Sequence, residues 1–293
     1  VNPCPSTLSE NELIKNVNFV ESKLLITQQL IDVDRIPSNC LSFKFNNDDD
    51  LLFKLEPYTD QKYEREIYSH DIACIYYSSG TTGNPKCVLY SHKNMLSLTK
   101  SIVNDFQFLP ESIHLGVLPL GHTAITNYQL LPSLYAGSTL FLADNFNSVR
   151  GDIWKIVADF NITYLQVVPT ILFAMIATPY DDENVKANRS LKYIGCGSAP
   201  LSIESQINFY NRFNVKVANL YGLSETGPSH FDNPLLSNWE PGSIGYPLTI
   251  NDCKIFSKDM KELKVGEVGQ IGLKGDNVFV GYYKNKKAYR NAF

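Results

Sequence analysis

The feature that most constrains the fold is a rhythm. From Ser91 to Leu220, short apolar runs trade places with stretches whose apolar residues recur every three or four positions. Residues 114–118, 138–142, 162–168, 191–194 and 215–220 read as strands. Before and between them lie four expected helices: one capped by Ser91 and running to about Phe106, then 126–135, 153–160 and 202–213. In the first, Leu98, Ile102 and Phe106 fall at i, i+4 and i+8 and predict a single buried stripe. In the last, Ile203, Ile207 and Tyr210 share a face, and Pro132 interrupts the second half of its helix. This alternation predicts an α/β protein, a mostly parallel sheet flanked by helices. Ligands of such sheets gather beyond the carboxyl ends of the strands, and the loops near Ser78, Pro119, Gly195 and Gly222 follow expected strands.

The ends of the chain read differently. A helix opened by Thr7 or Ser9, with Glu10 and Glu12 in its first turn, precedes a short strand at 24–27. The acidic, patternless stretch 46–66, with its Asp48-Asp49-Asp50 run, reads as a solvated loop rather than a metal site. After Pro241, residues 254–256, 268–273 and 278–280, separated by glycines, predict the start of a β-rich subdomain. The longest apolar stretch, 162–177, is broken by Gln166 and Pro169 and reads as strand then helix, too short to span a bilayer.

Between the apolar runs 72–77 and 88–90 lies Ser78-Ser79-Gly80-Thr81-Thr82-Gly83-Asn84-Pro85-Lys86. Four hydroxyls flank Gly80, the two glycines let backbone N–H groups turn toward a ligand, and Lys86 adds a compact positive charge. Such a loop suits a polyphosphate. It lacks the Gly-x4-Gly-Lys-Ser/Thr spacing of the common nucleotide loop. A polar surface turn selects the same residue types, so the loop gains weight only from its company.

Hydrophobic residues at 44% suffice for a substantial core, and the net charge of −4 with 19% charged residues argues against a nucleic-acid surface. The six cysteines form no Cys-x-x-Cys pair, which argues against zinc and a disulfide framework. They fit a reducing compartment such as the cytoplasm, with peroxisomes left open. Cys74 and Cys196, beside apolar runs, read as buried thiols.

The company of the loop resembles the adenylate-forming superfamily, which includes acyl-CoA synthetases, aryl-CoA ligases such as 4-coumarate-CoA ligase, luciferases and the adenylation domains of peptide synthetases. Ser78 to Lys86 resembles its phosphate signature, and Leu118-Pro119-Leu120-Gly121-His122 its histidine motif. Gly197-Ser198-Ala199-Pro200-Leu201 resembles its adenine-side loop, and Asn219-Leu220-Tyr221-Gly222-Leu223-Ser224-Glu225-Thr226 its Tyr-Gly-x-Thr-Glu segment. Gly242-Ser243-Ile244-Gly245-Tyr246-Pro247, Gly266-Glu267-Val268-Gly269-Gln270-Ile271 and Gly281-Tyr282-Tyr283 follow in the family's order.

The resemblance implies an ATP-dependent ligase that activates a carboxylic acid as an acyl-adenylate and then forms a thioester with coenzyme A. Loading of a carrier protein, or a non-catalytic nucleotide- or acyl-binding relic, stays open beside it. By resemblance, Ser78, Ser79, Gly80, Thr81, Thr82, Gly83 and Lys86 hold the β- and γ-phosphates. Gly197, Ser198, Ala199, Asn219, Leu220, Tyr221 and Gly222 surround the adenine side, with Tyr221 offering a stacking face. Ser224, standing where threonine is usual, reaches the α-phosphate, and Glu225 ligates Mg2+. Lys86, Ser224 and Glu225 are the implied catalytic set. His122, Gly195 and Tyr221 meet the acid, and His122-Thr123-Ala124 offers no Asp anchor for an amino group, which favours a simple carboxylic acid. Gly121 replaces an aromatic and Cys87 a glycine. Residues 1–240 read as an N-terminally incomplete core and 241–293 as an incomplete β-rich subdomain. The ribose-binding Thr-Gly-Asp and the catalytic C-terminal domain have no counterpart in the sequence, so the chain reads as a fragment expected to make no acyl-CoA alone.

Overall fold

The structure is a computed structural model that describes residues 1–4, 8–29, 31–56, 66–78, 86–236 and 238–293. It divides into two compact units, Cys4–Tyr68 and Val1–Pro3 with Ser69–Phe293.

In the smaller unit, helix α1 (Glu10–Phe19) starts at Ser9, which forms a reciprocal capping box with Glu12. Strands β1 (Leu24–Thr27) and β2 (Leu41–Lys44) pair in parallel. A small core gathers Leu13, Val17 and Cys40. The stretch expected to be a loop contains a helix, α2 (Asp48–Leu55). Its start explains the acidic run. Asn47 Oδ1 accepts the Asp50 N–H at 2.9 Å, and the Asp50 carboxylate pairs with Lys54 one turn on at 3.1 Å. Acidic residues in a first turn also face the positive end of the helix dipole.

In the larger unit, β3 (Ile72–Ser78) and β4 (Lys86–Ser91) form an antiparallel hairpin in which Ser78 pairs with Lys86. Ser91 then caps α3 (His92–Phe106), whose Leu98, Ile102 and Phe106 are buried as expected. Next come β5 (Ile113–Gly116), α4 (Thr123–Ile125), a π turn (Thr126–Leu130) and α5 (Leu131–Ala136). Pro132 accounts for the π turn: it has no N–H to return to Tyr128, and the Leu131 N–H reaches back five residues to the Thr126 carbonyl. Strand β6 (Thr139–Leu142) leads through α6 (Phe146–Val149) and α7 (Ile153–Asp159) to β7 (Tyr164–Val167). Helices α8 (Pro169–Ala177) and α9 (Asp182–Ala187), β8 (Tyr193–Gly197), α10 (Ile203–Phe213), β9 (Lys216–Leu223), β10 (Gly227–Phe231) and β11 (Tyr246–Pro247) follow. The tail carries β12 (Asp252–Phe256), β13 (Gln270–Lys274), β14 (Gly281–Tyr282) and α11 (Lys286–Arg290).

The central sheet runs β11-β10-β9-β8-β7-β5-β6, with β9 to β6 parallel and β10 and β11 antiparallel. Every residue of β7 and β8 is buried, as both faces of such a sheet are covered. Leu165, Val167, Ile194 and Val217 pack on one side with Trp154, Leu172, Phe209 and Phe213. Tyr164, Tyr193 and Leu220 pack on the other with Phe106, Tyr128 and Phe231. The buried stripe of α10 is therefore Gln206, Phe209 and Phe213. The expected face is not the core face: Ile203 and Ile207 are exposed, and Tyr210 turns to Trp239 at 5.1 Å between ring centroids.

A second sheet, β14-β4-β3, holds the hairpin, and β12 pairs with β13. Residues 278–280, expected as a strand, are irregular, because their backbone N–H groups turn to loop and strand carbonyls: Phe279 to Glu225 at 2.8 Å and Val280 to Leu89 at 3.1 Å. The strand is the next pair, Gly281–Tyr282, against β4.

Candidate functional site

Three chain segments leave the parallel sheet at its carboxyl edge and meet. After β5 comes His122, after β8 comes Ser198, and β9 ends in Gly222, Leu223 and then Ser224. These residues line one pocket of about 170 Å³, closed by Thr123, Ala124, Asn127 and Tyr128 from the helix after β5 and by Gly227 and Pro228 of β10. Leu220 forms part of its floor.

Each wall has a local cause. His122 is the N-cap of α4, and its Nδ1 accepts the Ala124 N–H at 3.1 Å. In the neutral ring the proton therefore sits on Nε2, and partial burial pulls the His122 pKa below the ordinary histidine value. Ser198 adopts φ 70°, a left-handed conformation, which turns the chain sharply out of β8. Gly197 must lack a side chain, since a Cβ there would lie 2.6 Å from the Leu220 carbonyl oxygen. Ala199 follows Ser198 at the surface.

Several expected site residues stand off the pocket. Gly195 lies inside β8 rather than in a loop, because its backbone is paired with Gln166 and Ala218; Gly222, although it lines the pocket, likewise lies inside β9, paired with Pro228. Gly195 is buried, and any Cβ on it would collide with Gln166 and Tyr164. Asn219 pairs with Cys196 across β8 and β9. Tyr221 is half-buried, with the edge of its ring set against His230 at 5.5 Å. Ser79, Gly80, Thr81, Thr82 and Gly83 lie outside the described residues, and only Ser78 and Lys86, the two ends of the hairpin, can be placed.

The loop between β9 and β10 is held from two sides. Within it, the Thr226 hydroxyl accepts the Leu223 N–H at 3.2 Å and donates to the Gly227 carbonyl at 2.9 Å. From the second sheet, the Tyr90 hydroxyl donates to the Ser224 carbonyl at 2.7 Å, and the Tyr282 hydroxyl donates to Glu225 Oε1 at 2.6 Å. Asn277 Nδ2 donates to the Thr226 carbonyl at 2.8 Å. Lys86 Nζ stands 5.0 Å from the centre of the Tyr282 ring. Burial, reinforced by the Glu225 charge, drives the ionisation of both Tyr90 and Tyr282 far up, so both remain donors.

Tyr90, Asn127, Tyr128 and Asn277 escaped the sequence reading. Tyr282 was visible only as part of a motif without a role. Tyr90 looked like one more apolar strand residue, and no local signal marks the partner of its hydroxyl, 134 residues away. Cys74 and Cys196 are buried as expected, and burial pushes the Cys196 thiol up to about 12. None of the six cysteines forms a disulfide. Among the described residues no group of three or more His, Cys, Asp or Glu could hold a metal on its own, and no helix is long and apolar enough to cross a membrane.

Comparison with known proteins gives one family model, described as AMP-binding enzyme, over residues 1–283. The sulfoacetate–CoA ligase of Cupriavidus necator is 31% identical over 222 residues, 75% of this chain and 42% of that protein. The long-chain-fatty-acid–CoA ligase of Bacillus subtilis is 32% identical over 225 residues, 73% of this chain and 38% of that protein. The 4-coumarate–CoA ligase 1 of Petroselinum crispum is 28% identical over 306 residues, 95% of this chain and 54% of that protein. The chain thus spans about half the length of the curated relatives it matches. In fold it resembles the crystal structure of ATP-bound MatB from Rhodopseudomonas palustris, with a TM-score of 0.87 at 23% identity, covering 98% of this chain and 57% of that one.

Proposed function

The chain belongs to the AMP-binding enzyme family, and from that premise we propose that it supplies the nucleotide- and acid-binding part of a ligase. The ligase would activate a carboxylic acid with ATP and pass the acyl group to coenzyme A. A carboxylate oxygen bonds to the α-phosphorus, the bond to the β-phosphate oxygen breaks, and pyrophosphate leaves. The coenzyme A thiol then bonds to the acyl carbon, loses its proton, and AMP leaves. Two anions must meet in the first step, so the barrier is largely electrostatic.

The observation that carries this reading is the convergence of His122, Ser198 and Ser224 on one pocket at the carboxyl edge of the sheet. In this reading Ser224 offers its hydroxyl to the α-phosphate. His122, neutral and a donor through Nε2, orients the acid carboxylate. Tyr221 and the Gly197–Ala199 turn face the adenine, and the hairpin from Ser78 to Lys86 takes the outer phosphates. A simple carboxylic acid is the substrate class, since among the described residues no acidic side chain lines the pocket beside His122 to await an amino group. The assignment of residues 1–240 to the core and 241–293 to a β-rich subdomain belongs to the same proposal.

The donor set around Glu225 fits magnesium. One carboxylate beside a serine hydroxyl, without a cage of further acidic or histidine groups among the described residues, suits a hard cation that shares its shell with phosphates and water. Bound there, the ion would supply neutralising charge to the phosphates.

The test is acid-dependent exchange of labelled pyrophosphate into ATP, by protein expressed from the longest open reading frame that contains this sequence. Exchange with simple acids, followed by thioester formation on added coenzyme A, supports the reading. Acyl transfer to a carrier protein instead of coenzyme A selects the carrier-loading alternative. ATP binding without exchange over a broad acid panel marks a relic.

A further inference from the structure

We infer that Tyr282 is a positioning residue that fixes the Glu225 carboxylate for magnesium–ATP while its ring seats Lys86. This rests on the reading of Glu225 and Lys86 given above.

The geometry is specific. Tyr282 belongs to β14, which pairs with β4, and β4 begins at Lys86. Its hydroxyl donates to Glu225 Oε1 at 2.6 Å, and the Lys86 ammonium stands 5.0 Å from its ring centre. One rigid side chain therefore touches both charged groups assigned to the phosphates and the metal. Tyr282 is itself only 7% exposed, packed by Phe279 at 4.7 Å between ring centroids, so its hydroxyl has little room to move. The backbone beneath is tied as well, since the Phe279 N–H donates to the Glu225 carbonyl at 2.8 Å.

The chemical consequence follows from the side chain held. A glutamate in a loop has three rotatable bonds and must lose that freedom when it binds a metal. A hydrogen bond at one oxygen sets the carboxylate plane beforehand and leaves the second oxygen as a ligand. Tyrosine suits this role better than lysine or arginine would: it donates without a positive charge, so Glu225 keeps its full charge for the cation. The aromatic face holds Lys86 without spending the carboxylate on it. The strand β14 thereby links the phosphate hairpin to the β9–β10 loop through one residue.

The experiment is a magnesium titration of ATP binding to the purified chain, read by isothermal calorimetry, for wild type, Tyr282→Phe, Glu225→Gln and the double variant. Tyr282→Phe is expected to raise the magnesium concentration at half-effect about tenfold, the worth of one hydrogen bond to a charged group. Its magnesium-free ATP affinity and melting temperature should stay near wild type, which a merely structural role would not predict. In the Glu225→Gln background the Tyr282→Phe shift should vanish. Glu225→Asp, which keeps the charge but withdraws it from the Tyr282 hydroxyl, should reproduce the shift even where Tyr282→Phe melts too low to titrate. Superimposed titrations for wild type and Tyr282→Phe, or for wild type and Glu225→Asp, overturn the inference while leaving magnesium binding intact. If wild-type ATP binding is indifferent to magnesium, the underlying reading of Glu225 falls and the inference falls with it.

Discussion

Replacing Gly195 by alanine separates a packing role from a substrate role for this glycine. The new methyl would sit 2.5 Å from the Tyr164 hydroxyl oxygen and 2.7 Å from Leu220 Cδ1, and closer still to Gln166 Oε1. Tyr164 and Gln166 are each 1% exposed, and the Tyr164 hydroxyl donates to Gln166 Oε1 at 2.7 Å. The methyl thus enters between two partners that have no solvent to turn to. Forcing a methyl into a packed core costs about 1–3 kcal/mol. Weakening the buried hydrogen bond adds roughly 0.5–1.5 kcal/mol. A total near 2–4 kcal/mol should lower the melting temperature by roughly 4–16 °C for a domain of this size class. The assay is thermal unfolding followed by circular dichroism, paired with ATP binding and, in active protein, the KM for the acid. The packing account expects a large drop in melting temperature and an acid KM within about twofold of wild type at temperatures where the variant is folded. An unchanged melting temperature with a strongly raised acid KM would refute the reasoning and return Gly195 to the substrate site.

Three further outcomes are expected. His114 is fully buried in β5, its ring nitrogens have no hydrogen-bond partner among the described residues, and burial holds its pKa at about 4 against an ordinary 6.5. The unfolded chain therefore binds the extra proton, so this contribution to stability is complete above 6.5 and lost as pH falls toward 4, by up to about 3 kcal/mol; His114→Leu should flatten that slope in urea melts, and parallel slopes would contradict it. An apolar groove of about 700 Å³ lined by Leu96, Leu120, Leu130 and Leu134, with Leu134 72% exposed, should bind a hydrophobic fluorescent dye, and Leu134→Lys should reduce the signal; no dye binding by wild type would show the groove to be covered in solution. Lys86→Ala should weaken ATP binding about tenfold or more while sparing acid binding, and an unchanged ATP affinity would remove Lys86 from the phosphate site.

The strand–helix rhythm and the parallel order were legible because the inner strands β7 and β8 are buried on both faces and each helix needs one apolar stripe. Ser91 and the Leu98, Ile102, Phe106 stripe were readable for the same local reason. What escaped depends on distance. The face of α10 was misjudged because Ile203, Ile207 and Tyr210 are as apolar as Phe209 and Phe213, and periodicity cannot tell a core face from one that meets the Trp239 segment. Helix α2 was hidden because its start is built from polar capping by Asn47 and Asp50 rather than from an apolar pattern. Among the site residues, His122, Ser198 and Ser224 were marked by motif and do meet in one pocket. Tyr90 and Asn277 were not, since their hydrogen bonds join segments 134 and 51 positions apart.

The most direct measurement is acid-dependent pyrophosphate exchange across a magnesium titration, for protein with Glu225 and with Glu225→Gln. Glutamine keeps the volume and an acceptor for the Tyr282 hydroxyl while removing the charge. The account predicts exchange by the Glu225 protein and, for the variant, slower exchange with a magnesium requirement raised about tenfold or more. Two superimposed titrations would contradict it.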